Sequence, residues 1–193
     1  MPIIKKYTEN KCKIAIWDIN EPFKKLLSHT NNIDLSSFKT EKRIKESIVS
    51  RLLLKYLSPK KTITYNKYGA PEINGNQFIS ISHSKNLVAV ILSNYRVGLD
   101  IEIISKKPLQ LSSKFLSSDN QQSLTKEKAT LIWCCKEAIY KWHQKGNIKF
   151  KNDIIIHPFI LKDKGEIVTK FKNKKYTLHY KKIDNHFLVY VCN

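Results

Sequence analysis

One amphipathic run, residues 123–144, is long and regular, with Leu131, Cys134, Cys135, Ala138 and Trp142 on a single stripe, as a helix packed on one face requires. It stands between two stretches rich in β-branched and aromatic residues, and that arrangement limits the folds open to the chain. Upstream, residues 12–19 alternate apolar and polar side chains in the manner of a strand. Residues 40–57 repeat Ile44, Ile48, Leu52 and Tyr56 at four-residue spacing, which predicts a helix. Three runs follow, residues 78–82, 87–92 and 97–104, which predict strands of an antiparallel meander. Turn chemistry lies ahead of them in Asn66-Lys67-Tyr68-Gly69-Ala70-Pro71 and Asn74-Gly75-Asn76. Downstream, residues 153–161, 165–172, 176–183 and 187–192 predict a second small sheet. Pro108 marks a place for a helix to start, and Gly146 is the natural stop of the long one. The order helix, strands, helix, strands predicts an α+β fold rather than an alternating βαβ sheet. Two lobes are expected, residues 1–95 and 96–193.

With 193 residues and 41% hydrophobic content, the chain can bury a core without staples. Its four cysteines, Cys12, Cys134, Cys135 and Cys192, form no CxxC pair and are expected as reduced thiols. No apolar run at the N-terminus has signal-peptide length, and residues 87–92 are too short to span a bilayer. A cytoplasmic, membrane-free monomer is the expectation. The 35 Lys and Arg residues against 16 Asp and Glu, a net charge of +19, favour anionic partners. A basic nucleic-acid-binding module would explain that charge, but no RNP pattern, GXXG loop or zinc knuckle accompanies it.

Three segments carry chemistry. Val97-Gly98-Leu99-Asp100-Ile101-Glu102 sets two carboxylates two residues apart in an otherwise apolar strand, so both share one face. Such a pair repels itself unless a cation or base lies between, and hard oxygen ligands suit Mg²⁺; the polar face of a half-buried strand alternates in the same way. On the long helix, Glu137 and Lys141 are i,i+4 neighbours. That spacing makes a surface ion pair worth about 0.3–0.5 kcal/mol, or a third carboxylate and a lysine for a diphosphate clamp. Third, Ile79-Ser80-Ile81-Ser82-His83-Ser84 ends a strand in hydroxyls and a single histidine, a structural residue or a ligand contact. P-loop, GxGxxG and GxSxG motifs are absent, so a nucleotide-like ligand would be held by side chains and metal.

These segments, in this order across about residues 66–150, resemble the surfactin-type 4′-phosphopantetheinyl transferase family. There, a G-[ILV]-D-[ILV]-E strand supplies two metal carboxylates, here Asp100 and Glu102. A W-[STC]-x-K-E-[AS]-x-x-K helix supplies a third and a catalytic lysine, here Glu137 and Lys141. An S-H-S supplies a histidine on coenzyme A phosphate, here His83. The resemblance implies Mg²⁺, with Mn²⁺ as a substitute, held by Asp100, Glu102 and Glu137. It implies transfer of phosphopantetheine from coenzyme A to a serine of an acidic acyl or peptidyl carrier protein, with 3′,5′-ADP leaving. Lys141 would face the leaving phosphate, Lys136 and His83 would be phosphate contacts, and Glu137 would be metal ligand or proton acceptor. Arg43 and Arg51 on the upstream helix are candidates for the 3′-phosphate. The family fold is a pseudo-twofold pair of similar α+β lobes, antiparallel sheets each packed by a long helix, with the active site at their junction. Two residues depart from the pattern: Ala70 where the family has lysine, with Lys67 expected to compensate, and Asn120 where a glutamate is usual. A degenerate member that binds coenzyme A without transfer is the remaining alternative.

Overall fold

Two-residue hairpin loops need left-handed backbone at their centre, and Asn10 and Lys11 supply it, with φ of 49° and 63°. That loop joins β1 (Ile3–Glu9) to β2 (Cys12–Asp18). A computed structural model describes residues 3–29, 38–117 and 124–193 of the chain. A short α1 (Phe23–Leu27) comes next, then α2 (Glu41–Leu57), whose N-cap Thr40 accepts a hydrogen bond from the Arg43 N–H. The hairpin β3 (Ile63–Tyr65) and β4 (Pro71–Ile73) precedes β5 (Phe78–Ser84), β6 (Leu87–Ser93) and β7 (Val97–Ile103). After α3 (Lys106–Gln110) comes the long helix α4 (Lys126–His143), capped by Thr125 on the Lys128 N–H. The chain ends with α5 (Phe150–Asp153), β8 (Ile154–Ile156), β9 (Lys164–Phe171), β10 (Lys174–Ile183) and β11 (His186–Cys192).

The strands form a four-stranded antiparallel sheet, order β1-β2-β6-β5, a five-stranded antiparallel one, order β7-β11-β10-β9-β8, and the small β3-β4 pair. The mixed α+β class predicted from the element order is what the chain adopts. The meander is not: β6 already has β2 and β5 on its two edges, so β7 has no place beside it and opens the second sheet against β11. Val97, Leu99 and Ile101 pack with Ile14, Ile16, Ala89, Ile91 and Leu188 between the two sheets. Helix α2 covers the outer face of the first sheet through Ile48, Val49, Leu53 and Leu54, and α4 covers the second through Leu131, Cys134, Cys135 and Ala138.

Several local expectations shift. The buried arc of α2 runs through Ile48, Leu53 and Leu57, leaving Tyr56 43% exposed. Helix α3 begins ahead of Pro108, and the expected helix start at Ser123 lies outside the described residues. Helix α4 stops not at Gly146 but at Gln144, which takes the left-handed conformation (φ 58°, ψ 13°). Residues 157–161 are not strand, since Pro158 has no N–H to give a ladder.

Between α4 and β7 the backbones nearly touch at Gly98. A Cβ there would lie 2.0 Å from the Ala138 carbonyl oxygen and 2.6 Å from the Trp142 nitrogen. Gly98, Asp100 and Glu102 share the strand face turned to α4, so the missing side chain lets the helix settle close over the two carboxylates. Gly98→Ala is expected to lower stability by about 1–3 kcal/mol, seen as a melting point about 3–10 °C lower by circular dichroism. An unchanged melting point would contradict the close approach.

Candidate active site

Strand β5 meets β7 through side chains rather than a backbone ladder. The Ser80, Ser82 and Ser84 hydroxyls accept hydrogen bonds from the N–H groups of Leu99, Ile101 and Ile103 at 3.0, 3.2 and 2.9 Å. These hydroxyls satisfy the edge of β7, and two of them spend their own protons on the carboxylates beside it. Ser82 donates to Asp100 Oδ1 at 2.7 Å, and Ser84 to Glu102 Oε2 at 3.2 Å.

From α4, Lys141 Nζ donates to Asp100 Oδ1 at 2.7 Å and to Ser82 Oγ at 2.8 Å. The i,i+4 ion pair of Lys141 with Glu137 is thus not what the ammonium forms. Asp100 is 3% exposed, and its Oδ2 is buried with no hydrogen-bond partner among the described residues. Burial, and after it the charge of Asp100, raises the proton affinity of both acidic neighbours: Glu102 lies above the ordinary carboxylate range, and Glu137 is pushed up to about 7. Lys141 opposes both shifts. Asp100, Glu102 and Glu137 thus concentrate hard oxygen donors in one partly desolvated place, and with the unsatisfied Asp100 oxygen their chemistry fits a divalent cation such as Mg²⁺. Among the described residues, no group of three or more His, Cys, Asp or Glu side chains stands already gathered as a ligand cage.

A cavity of about 540 Å³ opens beside Lys141, walled by α2, the β3-β4 hairpin, β5 and the end of α4. Arg43 and His83 line it together: Arg43 Nη1 is 2.7 Å from His83 Nε2 and 3.2 Å from Glu46 Oε2. A guanidinium only donates, so Nε2 accepts and the imidazole is neutral with its proton on Nδ1, 3.4 Å from Glu46 Oε1. Burial lowers the pKa of His83, and Arg43 and Lys141 lower it further against the pull of Glu46.

Other expected residues stand elsewhere. Lys136, expected on phosphate, is 2% exposed and donates from Nζ to the carbonyl oxygens of Phe150 and Ile154. It is turned about 100° around the helix from Glu137, and burial drops its pKa to about 8. The signal was present in the sequence, since Ile132 and Ile139 bracket Lys136 on the same arc of the helix. Arg51 donates to Ser47 and does not line the cavity, nor does Lys67, whose Nζ lies 5.2 Å from the Tyr68 ring. Ala70 is on the wall; Asn120 lies outside the described residues. The sequence reading missed Glu46, Tyr65, Tyr140 and Lys145, all on the cavity wall. Glu46 is 3% exposed, and one polar residue in an amphipathic helix carries no mark of burial.

Two measurements follow. A carboxyl whose folded pKa is raised gives a stability cost that grows as pH rises from the unfolded value toward the folded one and is full above it. In EDTA, Glu137→Gln is therefore expected to melt with wild type near pH 4.5 and several degrees higher at pH 8, a gain on the order of 1–3 kcal/mol. An equal difference at both pH values would refute the assignment. Lys136→Met, which strands two carbonyls, is expected to lower stability by about 1–3 kcal/mol per buried acceptor, measured by urea denaturation.

Comparison with known proteins points to the same stretch of chain. A family model described as the 4′-phosphopantetheinyl transferase superfamily matches residues 96–192, the stretch that holds Asp100, Glu102, Glu137 and Lys141. The chain is also 30% identical over 112 residues to the 4′-phosphopantetheinyl transferase gsp of Aneurinibacillus migulanus, a match covering 52% of this chain and 47% of that protein. It thus spans about half the length of the curated relative it matches. No helix among the described residues is long and apolar enough to cross a membrane. With the carboxylate strand, the Glu137–Lys141 helix and the family model in agreement, the chain belongs to the 4′-phosphopantetheinyl transferase superfamily.

Proposed function

We propose that this chain transfers 4′-phosphopantetheine from coenzyme A to a serine of an acidic acyl or peptidyl carrier protein, releasing 3′,5′-ADP. The observation that carries the reading is that Lys141, which lines a cavity together with Arg43 and His83, bonds the buried Asp100 and Ser82 behind that wall. The chain's two halves, residues 1–95 and 96–193, are read as pseudo-twofold lobes, each a sheet with one long helix, and the donor would lie between them.

Asp100, Glu102 and Glu137 would hold Mg²⁺, which when bound neutralises the diphosphate and polarises it toward displacement. The chain's own side chains do the rest. Arg43 donates to the phosphate oxygens and keeps His83 oriented beside them. The serine oxygen forms its bond to the β-phosphorus as the bond to the 3′,5′-ADP oxygen breaks. Glu137, whose proton affinity is raised to about 7, accepts the serine proton, the range a general base needs near neutral pH. Lys141 donates to the leaving phosphate, where negative charge grows. The +19 charge draws an acidic carrier toward the enzyme and raises the encounter rate.

Incubation of an apo carrier protein with this chain, Mg²⁺ and coenzyme A is expected to add one phosphopantetheine per carrier by intact mass spectrometry. Asp100→Ala should slow that gain on the order of a hundredfold or more while keeping the wild-type circular dichroism spectrum. Mg²⁺ should raise the melting point of wild type and not of Asp100→Ala. No mass gain with any apo carrier, or full activity in Asp100→Ala, would defeat the reading.

A further inference from the structure

Three side-chain cations of Lys or Arg type line the cavity, and they differ in what they already hold. Arg43 is 3.2 Å from Glu46 and Lys141 is 2.7 Å from Asp100. Lys145 has no ion-pair or hydrogen-bond partner among the described residues. The first two share their charge with buried carboxylates. Lys145 is the one of the three whose charge no carboxylate among the described residues already holds.

Its place is set by the backbone. The left-handed Gln144 ends α4, so the chain leaves the helix axis and Lys145 falls at the cavity wall. The next residue, Gly146, is close to Tyr68: a Cβ on it would be 3.9 Å from Tyr68 Cδ1. Lys145 therefore stands beside the turn that carries Tyr68, Gly69 and Ala70 along the same wall, where Ala70 brings no charge. Tyr68, 54% exposed, and Tyr140, 39% exposed, offer ring faces there for a base to stack on.

Coenzyme A bears its negative charge in two places, a diphosphate and a phosphomonoester on the ribose of the adenosine. The diphosphate belongs beside Lys141, which is held by Asp100 behind the wall. The adenosine end then extends along the wall that Tyr68 and Lys145 share. We propose that Lys145 holds the ribose 3′-phosphate and is the residue that makes the cavity prefer coenzyme A over its 3′-dephospho form; this rests on the reading of the cavity as the coenzyme A site. Lys145 is exposed, so water and salt screen the contact and its effect is moderate.

The test is calorimetric titration of coenzyme A and of 3′-dephospho-coenzyme A into the full chain. Lys145→Met is expected to weaken coenzyme A about three- to tenfold and to leave the dephospho form within about twofold of wild type, because only one of the two ligands carries the phosphate. Lys145→Arg should restore the preference, which a merely structural role at the end of α4 would not require. Equal loss for both ligands, or no loss for either, overturns the assignment while leaving the cavity reading intact. The same selective loss at Arg43→Met and not at Lys145→Met hands the phosphate to Arg43 and overturns it too. Wild-type chain that binds neither ligand overturns the cavity reading itself.

Discussion

The Ser82 hydroxyl uses all of its hydrogen-bonding capacity in one place. It donates to Asp100, accepts from the Ile101 N–H and accepts from Lys141. Those three bonds join a strand of the first sheet, the opening strand of the second and the long helix. The seam between the sheets and the centre of the site are therefore the same atoms. Ser80 and Ser84 continue the seam on either side, and side-chain hydroxyls reach further and pivot more freely than backbone carbonyls. A junction of this kind can hold register without the rigidity of a full ladder.

Charge is arranged to be costly in the isolated chain. Burial and mutual repulsion raise the proton affinity of Glu137 and Glu102, and an Asp100 oxygen is buried without a hydrogen-bond partner among the described residues. Groups that serve stability alone are seldom left so, whereas functional sites collect them. Lys136 shows the opposite economy on the same helix, its ammonium wholly enclosed by two backbone carbonyls, so that it ties α4 to the α5-β8 segment.

What was legible in the sequence followed from periodicity. A period of two placed Asp100 and Glu102 on one face, and the amphipathic patterns located α2 and α4 to within a few residues. Edge availability is a property of the whole sheet, which is why β7 was misread as the third strand of a meander. The fate of Lys136 and the partner of Lys141 depended on what packs against each side of α4, which i,i+4 spacing does not encode. The missed strand β1 has the lysine-rich outward pattern IIKKYTE of an edge, with too little apolar alternation to mark it. Lys145 was hidden behind Gly146, the conventional stop, while the actual reversal falls on a glutamine.

Among the described residues, the strand that carries Asp100 and Glu102 pairs with β11 and with no other strand of its sheet. The first sheet, by contrast, takes all its strands from residues before β7. The first sheet can close from its own stretch of chain, while the acidic strand stays without its ladder until a partner distant in sequence arrives. Asp100 and Glu102 thus gain a fixed backbone only through long-range pairing, and loss of the β11 segment would remove the ladder beneath them while leaving the first sheet free to form.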